Sequence, residues 1–490
     1  MKIYTGGLPN NNPVDGKWLG DVLLLYPQIK KQLVKKYCDD KTLCFLRDLI
    51  GLDASIDETT FQNRVKSGQM GIAGDNISWA VETKVRPPLT ITTLPPIGSS
   101  IALDSTFTIA FAEDWLSPGM VVTINDSVNG GQINLLIMTA AAGSGPYTYT
   151  AKVIATAAVT IPAGIVGIGD SLPWTWAATS TCTESCVKAS VVAPDWYKNY
   201  TTHICISRQV CKTGVMNSTW IEGANGSMCF HSTEDLQVFD LFLGTMEAAV
   251  YYGRTNKNAG GTSVITGPDG TLTTGDGIEA QIEGGNVTNF SVATYTNPAN
   301  YAAFLDLIEV NIEEWAAERN MASTELFARC GPAAFSLLQK VLEKKAFTAG
   351  GCCTLHDFKS GEAYDYALGM NILQYHFAGN VLNLEKCMLF GNTSFQHVRS
   401  GSVIPNESYK FLIHPKTTCD GKPLYEIYFR EGCGTSSAFT YKYVPGKMDP
   451  KDPTSPKAAN LYDGYTAAYD TEFVVIVNEP SSMLLFRPIA

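Results

Sequence analysis

Charge is what this sequence has least of. Asp, Glu, Lys and Arg make up 17% of its 490 residues, against 45% hydrophobic residues, and a typical soluble domain carries about a quarter. The net charge is −11, and no block of five like charges occurs anywhere in the chain. A protein that wraps or reads nucleic acid presents a dominant basic face, so that class is excluded for the chain as a whole. No run approaches the ~18 apolar residues that cross a bilayer, which excludes a spanning helix. Met1 to Asn12 holds Pro, Gly and Asn where a signal peptide needs an apolar core, so synthesis in the cytoplasm is expected. Low charge with 43 glycines points to strand-rich structure with much surface buried against something else, as in a subunit of a large assembly.

Catalytic signatures are also lacking. Gly16-Lys17, Gly421-Lys422 and Gly446-Lys447 are followed by Trp18, Pro423 and Met448, so there is no phosphate-binding loop. Neither a G-x-S-x-G elbow nor H-E-x-x-H is present. Gly164, Gly167 and Gly169 lie in a β-rich stretch with no following helix, which removes a dinucleotide reading. The 13 cysteines form no C-x-x-C and have no His at ligand spacing. An odd number of unpaired, mostly buried thiols fits a reducing compartment. Cys352, Cys353, His356 and Asp357 would need a ligand from elsewhere to hold a metal. Glu313/Glu314 and Asp195/Glu222 are carboxylate pairs without a fixed separation. Trp115, Trp174 and Trp176 could stack on a sugar, but more often such rings anchor cores or interfaces. No catalytic residue, metal ligand or cofactor site is assigned.

What is there is an ordered series of segments. Gln28 to Ile50 has helical periodicity at Ile29, Leu33, Tyr37, Leu43 and Leu46, with Asp39-Asp40 as a break. Its other face carries Lys30, Lys31, Lys35 and Lys36, which read first as a solvated face and second as a basic patch. Phe61 to Ala80 is polar, with Gly68, Gly71 and Gly74 at close intervals, and reads as an extended loop or long hairpin. Val85 to Pro173 has only seven charged residues and no Cys. Its runs Leu89-Thr-Ile-Thr-Thr, Phe107-Thr-Ile-Ala-Phe, Met120-Val-Val-Thr-Ile, Ile133-Asn-Leu-Leu-Ile and Tyr147-Thr-Tyr-Thr-Ala-Lys-Val are separated by Pro/Gly breaks. That pattern predicts an inserted all-β barrel or sandwich.

From Ser232 the period changes to 3.6. Leu236, Phe239, Phe242/Leu243, Met246 and Ala249/Val250 predict a buried helix of about 23 residues, roughly 35 Å long. Gly260 to Val287 reads as a loop or poorly ordered hairpin. A helix is expected over Tyr301–Arg319 with Phe304, Ile308, Ile312 and Trp315 inside, then a strand at Leu326–Cys330. Another helix starts at Gly331-Pro332 and runs to Lys344-Lys345. Strand-like runs follow at Ile372–Phe377, Lys410–His414, Leu424–Phe429 and Glu472–Val477.

This order of parts resembles the major capsid proteins of tailed bacteriophages with the Hong Kong 97 fold. The residues that carry the resemblance are the strand Tyr200-Thr-Thr-His-Ile-Cys-Ile-Ser-Arg-Gln-Val-Cys and the long helix ending in Ala-Ala-Val-Tyr-Tyr-Gly-Arg254. Leu326 to Lys345 and the hairpin-like Gly369 to Gly379 add to it, and the overall look is similar to the crAss-like phages. The resemblance implies an α+β fold with an N-terminal arm over 1–60, an extended loop over 61–84 and 174–195, and an inserted β-domain over 85–173. It further implies a peripheral domain over 196–322 and 466–490 with a spine helix at 233–256, and an axial domain over 323–465. The implied job is self-assembly as hexamers and pentamers into a shell around double-stranded DNA, with portal and decoration proteins as partners and no membrane or cofactor. Only about sixty residues precede the loop, so a separate scaffolding protein is implied. Arg64, Lys66 and Trp79 are the expected contact between neighbouring subunits, and the four lysines an expected lumen-facing patch. On the residues alone, a β-rich glycan-binding adhesin and a polysaccharide hydrolase remain as other readings.

Overall fold

A computed structural model describes residues 43–50, 71–72, 74–82, 88–139, 145–178, 194–211, 220–223, 226–258, 260–267, 270–282, 286–319, 325–348, 373–393, 396–398, 402, 404–432, 435–436, 440–445 and 464–489. The chain divides into two compact units, Ala80–Tyr197 and a main body of Met1–Trp79 with Lys198–Ala490.

The smaller unit holds a sheet of seven short strands: β1 (Leu89–Thr93), β2 (Phe107–Phe111), β3 (Met120–Asp126), β4 (Gly131–Ile137), β5 (Tyr147–Val153), β6 (Ser171–Leu172) and β7 (Trp174–Ala177). Their order in the sheet is β6-β1-β2-β5-β4-β3-β7. The two ends of that path, β6 and β7, are consecutive in sequence with only Pro173 between them, so one bent strand holds both edges and the sheet closes into a barrel. Pro173 suits the corner because it has no N–H to place in either ladder, while its carbonyl accepts from the Thr123 N–H at 3.2 Å. Alternate residues fill the interior, among them Leu89, Ile91, Ile109, Phe111, Ile133, Leu135, Ile137, Tyr149 and Ala151, as a period of two requires.

The main body holds two six-stranded sheets. In the first, β16 (Gly464–Val477) lies between β8 (Thr202–Cys211) on one side and β14 (Tyr425–Gly432) with β15 (Thr440–Pro445) on the other. The pair Gly71–Ile72 runs parallel to β14. The second sheet has the order β9 (Val287–Ser291), β17 (Leu484–Ile489), β13 (Phe411–Pro415), β10 (Glu325–Cys330), β12 (Asn380–Lys386) and β11 (Gln374–Phe377). A two-residue turn joins β11 to β12, and Ala378 and Gly379 take φ of 44° and 85°. Positive φ at both central positions gives the turn twist that matches paired strands.

Among the described residues the longer helices of the body are α1 (Phe45–Ile50), α2 (Phe230–Tyr252), α3 (Tyr301–Glu318) and α4 (Pro332–Thr348). α2 buries Phe239, Phe242, Leu243, Met246 and Val250 against Ile204, Phe429, Tyr469 and Phe473 of the first sheet. α3 and α4 cover the second sheet, with Phe304, Ile308, Ile312 and Trp315 of α3 packed on Leu338 and Leu342 of α4 and on Phe411 and Phe486. Pro332 occupies the first turn of α4, where its missing N–H costs nothing, and the Ser408 hydroxyl accepts the next orphan N–H, that of Ala333, at 3.0 Å.

Phe61–Ala80, read as an extended loop or long hairpin, is in part strand, since Asn76–Val81 pairs with Asp195–Tyr200. Gly260–Val287 also holds more structure than its glycines and threonines suggest, with a hairpin (Thr266–Gly267 against Gly270–Thr271) and a helical turn at Ile278–Gln281. Its order comes from side chains outside it: Asn199 accepts from the Asp276 N–H at 2.8 Å, and Asn256, just before the segment, donates to the Leu272 carbonyl at 2.7 Å. Gly277 packs so tightly on the end of α2 that a Cβ there would lie 2.7 Å from Gly253 N and Tyr251 O.

Candidate functional site

The most elaborate polar arrangement in the described residues lies where α1 meets α2 and the two sheets. Glu247, in the middle of α2, is fully buried. Its carboxylate accepts the backbone N–H groups of Cys44 and Phe45 on one oxygen, both at 2.7 Å, and of Leu46 on the other at 2.8 Å. These donors have no partner within so short a helix, so a side chain about 200 positions away in the chain caps it. Burial pushes the Glu247 carboxyl up to about 7, and the three N–H bonds and the Arg47 charge only partly offset that effect.

Arg329 holds the same segment from β10. Its guanidinium donates to the Cys44 carbonyl at 2.9 Å, pairs with Asp48, and lies 3.9 Å from Glu385. The guanidinium carbon sits 4.8 Å from the Phe45 ring centroid and 5.8 Å from that of Tyr425. Phe45 itself stacks on Tyr251 at 4.8 Å and meets Phe390 and Tyr425 at 6.3 Å each. Arg329 also donates to His414 Nε2 at 3.1 Å, while His414 Nδ1 lies 2.8 Å from the Pro415 carbonyl. The acceptor role of Nε2 places the ring proton on Nδ1. Burial, and then the neighbouring Arg329 charge, hold His414 down at about 3, so it is neutral and structural.

A second buried cluster continues from the first through Tyr251. Lys410, just before β13, is 2% exposed. It bonds Glu279 at 3.0 Å, pairs with Glu407, and lies between the rings of Tyr251, Tyr252 and Phe390 at 5.1 to 5.9 Å. Arg487 of β17 completes the set at 2.9 Å from Glu279. Two cations and two carboxylates thus tie the turn Ile278–Gln281 to the second sheet, with the Tyr251 and Tyr252 rings of α2 packed against Lys410.

None of the residues singled out from sequence belongs to either cluster. Trp79 lies half-buried on the strand Asn76–Val81, whereas Arg64, Lys66, Lys30, Lys31, Lys35, Lys36, Cys352, Cys353 and His356 fall outside the described residues. Trp115 meets Trp174 edge-on at 5.9 Å, and Trp174 Nε1 donates to the Trp176 carbonyl. Glu313 and Glu314 are exposed, with Trp315 buried beside them. Among the described residues no group of three His, Cys, Asp or Glu could hold a metal, and no helix is long and apolar enough to cross a membrane. In the two clusters Glu247, Arg329, Lys410 and Glu279 each have bonding partners within the fold. Such an arrangement braces a structure.

Sequence comparison decides what is braced. The family model described as "Crassvirus major capsid protein" matches residues 19–487. The chain belongs to that family. It is a structural protein of the virion that forms the capsid shell, and it is not an enzyme. No curated protein matches it in sequence. Among solved structures the capsid protein is similar to the capsid of cyanophage P-SCSP1u, with 11% identity, 64% of this chain and 80% of that chain covered, and a TM-score of 0.34. It is also similar to a structure from Mycobacterium phage Bobi (8% identity, 86% and 88% covered, TM-score 0.33) and to the SrpI encapsulin of Synechococcus elongatus PCC 7942 (8% identity, 61% and 77% covered, TM-score 0.30).

Proposed function

We propose that this capsid protein assembles as hexamers and pentamers into an icosahedral head shell that encloses double-stranded DNA, with Hong Kong 97-like division of labour within the subunit. The observation that carries the proposal is the family match across residues 19–487. In this reading α2 is the spine, the sheet around β16 the peripheral domain, and the sheet around β10 with α3 and α4 the axial domain. Residues 61–84 and 174–195 form an extended loop that carries the β-barrel, and Arg64, Lys66 and Trp79 contact the neighbouring subunit. Lys30, Lys31, Lys35 and Lys36 face the lumen, and separate scaffolding, portal and decoration proteins complete the head. The physics supports such a design. A closed shell needs one subunit to repeat many weak heterologous contacts, which multivalency makes durable, and the subunit must not deform between them. Negative-stain microscopy of the purified protein tests this reading, with shells, tubes, sheets or capsomers expected. A protein that stays a small oligomer under every assembly condition would overturn it. Trp79→Ala is expected to leave folded subunits that assemble poorly, and a sharply lowered melting temperature of the unassembled subunit would instead make Trp79 core.

A further inference from the structure

We propose that Asn129-Gly130, at the tip of the β3–β4 hairpin, is a latent deamidation site that Asp126 keeps closed. Asp126 and Gly131 are the last paired residues of the two strands, and Ser127 to Gly130 join them. Gly130 takes a φ of 71°, a conformation that suits glycine. Donors from this loop converge on Asp126. One carboxylate oxygen accepts the Val128 and Asn129 N–H groups, each at 3.0 Å, and the other accepts Asn129 Nδ2 at 2.9 Å. The Gly130 N–H donates to the Asp126 backbone carbonyl, also at 2.9 Å. Both groups that deamidation would join, the Asn129 side-chain amide and the Gly130 nitrogen, are thus held by the same residue.

The reaction needs the Gly130 nitrogen to lose its proton to a solvent base and attack Asn129 Cγ. A new C–N bond closes a cyclic succinimide, the Cγ–Nδ2 bond breaks, and ammonia leaves after taking a proton from water. Water then opens the ring at either carbonyl, giving aspartate or isoaspartate. Space does not prevent this, because a Cβ built on Gly130 would find no atom within 4 Å. The bonds do. The Gly130 proton is shared with the Asp126 carbonyl, and the Asn129 amide is drawn back onto the Asp126 carboxylate instead of turning onto Gly130. The Asp126 charge also stands beside the anionic nitrogen and oxyanion that must form, and a like charge disfavours both. Reaction therefore proceeds through openings of the tip, and its rate reports how often they occur. Conversion is one-way. Either product lacks the Nδ2 donor and sets a second carboxylate against Asp126, and isoaspartate also lengthens the main chain, so the tip cannot close as before.

Peptide mapping by mass spectrometry tests this on the intact, unassembled subunit, incubated in mild alkali beside the same chain unfolded in urea. Native Asn129 is expected to convert at least about tenfold more slowly than unfolded Asn129. Asp126→Ala should bring the native rate to within about threefold of the unfolded one. Amide exchange at Val122 and Leu135, partners further along the same ladder, should stay as in wild type, which confines the effect to the tip. Equal rates in native and unfolded wild type overturn the proposal even if the variant fails to fold. An Asp126→Ala subunit that keeps its ladder and converts no faster than wild type overturns it too.

Discussion

Arg329→Met is the substitution that probes the anchor most directly. The methionine keeps the apolar stem packed between Phe45 and Tyr425 but removes the guanidinium. Two buried acceptors then lose their donor: the Cys44 carbonyl, bonded at 2.9 Å, and His414 Nε2, bonded at 3.1 Å. Each buried acceptor left unsatisfied costs about 1–3 kcal/mol. Loss of the cation from the face of Phe45, 4.8 Å away, adds about 0.5–2 kcal/mol. The carboxylates of Asp48 and Glu385 contribute little, because their side chains are 37% and 38% exposed and recover hydration once the partner is gone. The expected loss is about 4 kcal/mol, a large part of the 5–15 kcal/mol that holds a typical domain folded. Urea unfolding of the unassembled subunit, read by amide exchange in α2 and β10 so that the barrel's own transition does not mix in, measures it. Arg329→Lys keeps the charge but not the planar fork and should recover only part of the loss. The reasoning fails if Arg329→Met costs less than about 1 kcal/mol or if Arg329→Lys matches the wild type.

Gly277→Ala should destabilise the main body by about 1–3 kcal/mol, because the new methyl would meet backbone atoms of Gly253 and Tyr251 at 2.7 Å; a melting temperature within a degree of wild type would contradict this. His414, held down at about 3 against an ordinary 6.5, stabilises the fold above pH 6.5 and loses that contribution as pH falls toward 3, so His414→Gln should flatten the acid limb of a stability–pH curve over that window. Thiol titration of particles denatured under alkylating conditions should find the cysteines reduced. Cys44, Cys330, Cys387 and Cys419 form no disulfide, and a majority found bridged would refute the expectation.

Periodic segments were legible from sequence because their signal is local. The runs at Leu89–Thr93, Phe107–Phe111 and Tyr147–Val153 are strands with those same bounds, and the helix expected from Ser232 is Phe230–Tyr252. Tyr301–Arg319 differs from the observed α3 by its last residue, and that residue, Arg319, is the C-cap. Gly260–Val287, read as a loop or poorly ordered hairpin, holds a hairpin, but its helical turn was not legible because what orders it is not periodic. Asn199 reaches across from 77 positions away to the Asp276 N–H, and the Asn256 bond to the Leu272 carbonyl, 16 positions on, follows no helical or strand period. The anchor was invisible for the same reason, since Glu247 and Cys44 stand 203 positions apart and Arg329 and Cys44 stand 285 apart. One local sign was present. Glu247 interrupts an otherwise apolar stretch of a helix that is apolar on nearly every face, Arg329 interrupts Leu-Phe-Ala-Arg-Cys, and Lys410 opens Lys-Phe-Leu-Ile-His. A lone charge inside a buried element needs a partner, and three such charges in a chain this poor in charge mark where distant parts are tied.

That economy explains why so few charges are buried and why these sit where they do. Buried ion pairs add little net stability, because removing water from both partners costs about what their attraction returns. What they supply is geometry: a guanidinium with a carbonyl, a carboxylate, an imidazole and two rings around it is satisfied in only one arrangement. Apolar side chains of equal volume would hold α1 on α2 comparably well, but they would tolerate small slips along the helix. In a free monomer a slip of that kind matters little. In a shell, each subunit hands its orientation to the next, and an angular error at the joint between α2 and the two sheets accumulates around every closed ring of contacts. The strictest part of the fold is therefore expected at that joint. The described residues agree, since Glu247, Arg329, Lys410 and Glu279 are the charged side chains withdrawn from solvent there, each tying α1, α2 or the turn that packs on α2 to a segment far away in sequence.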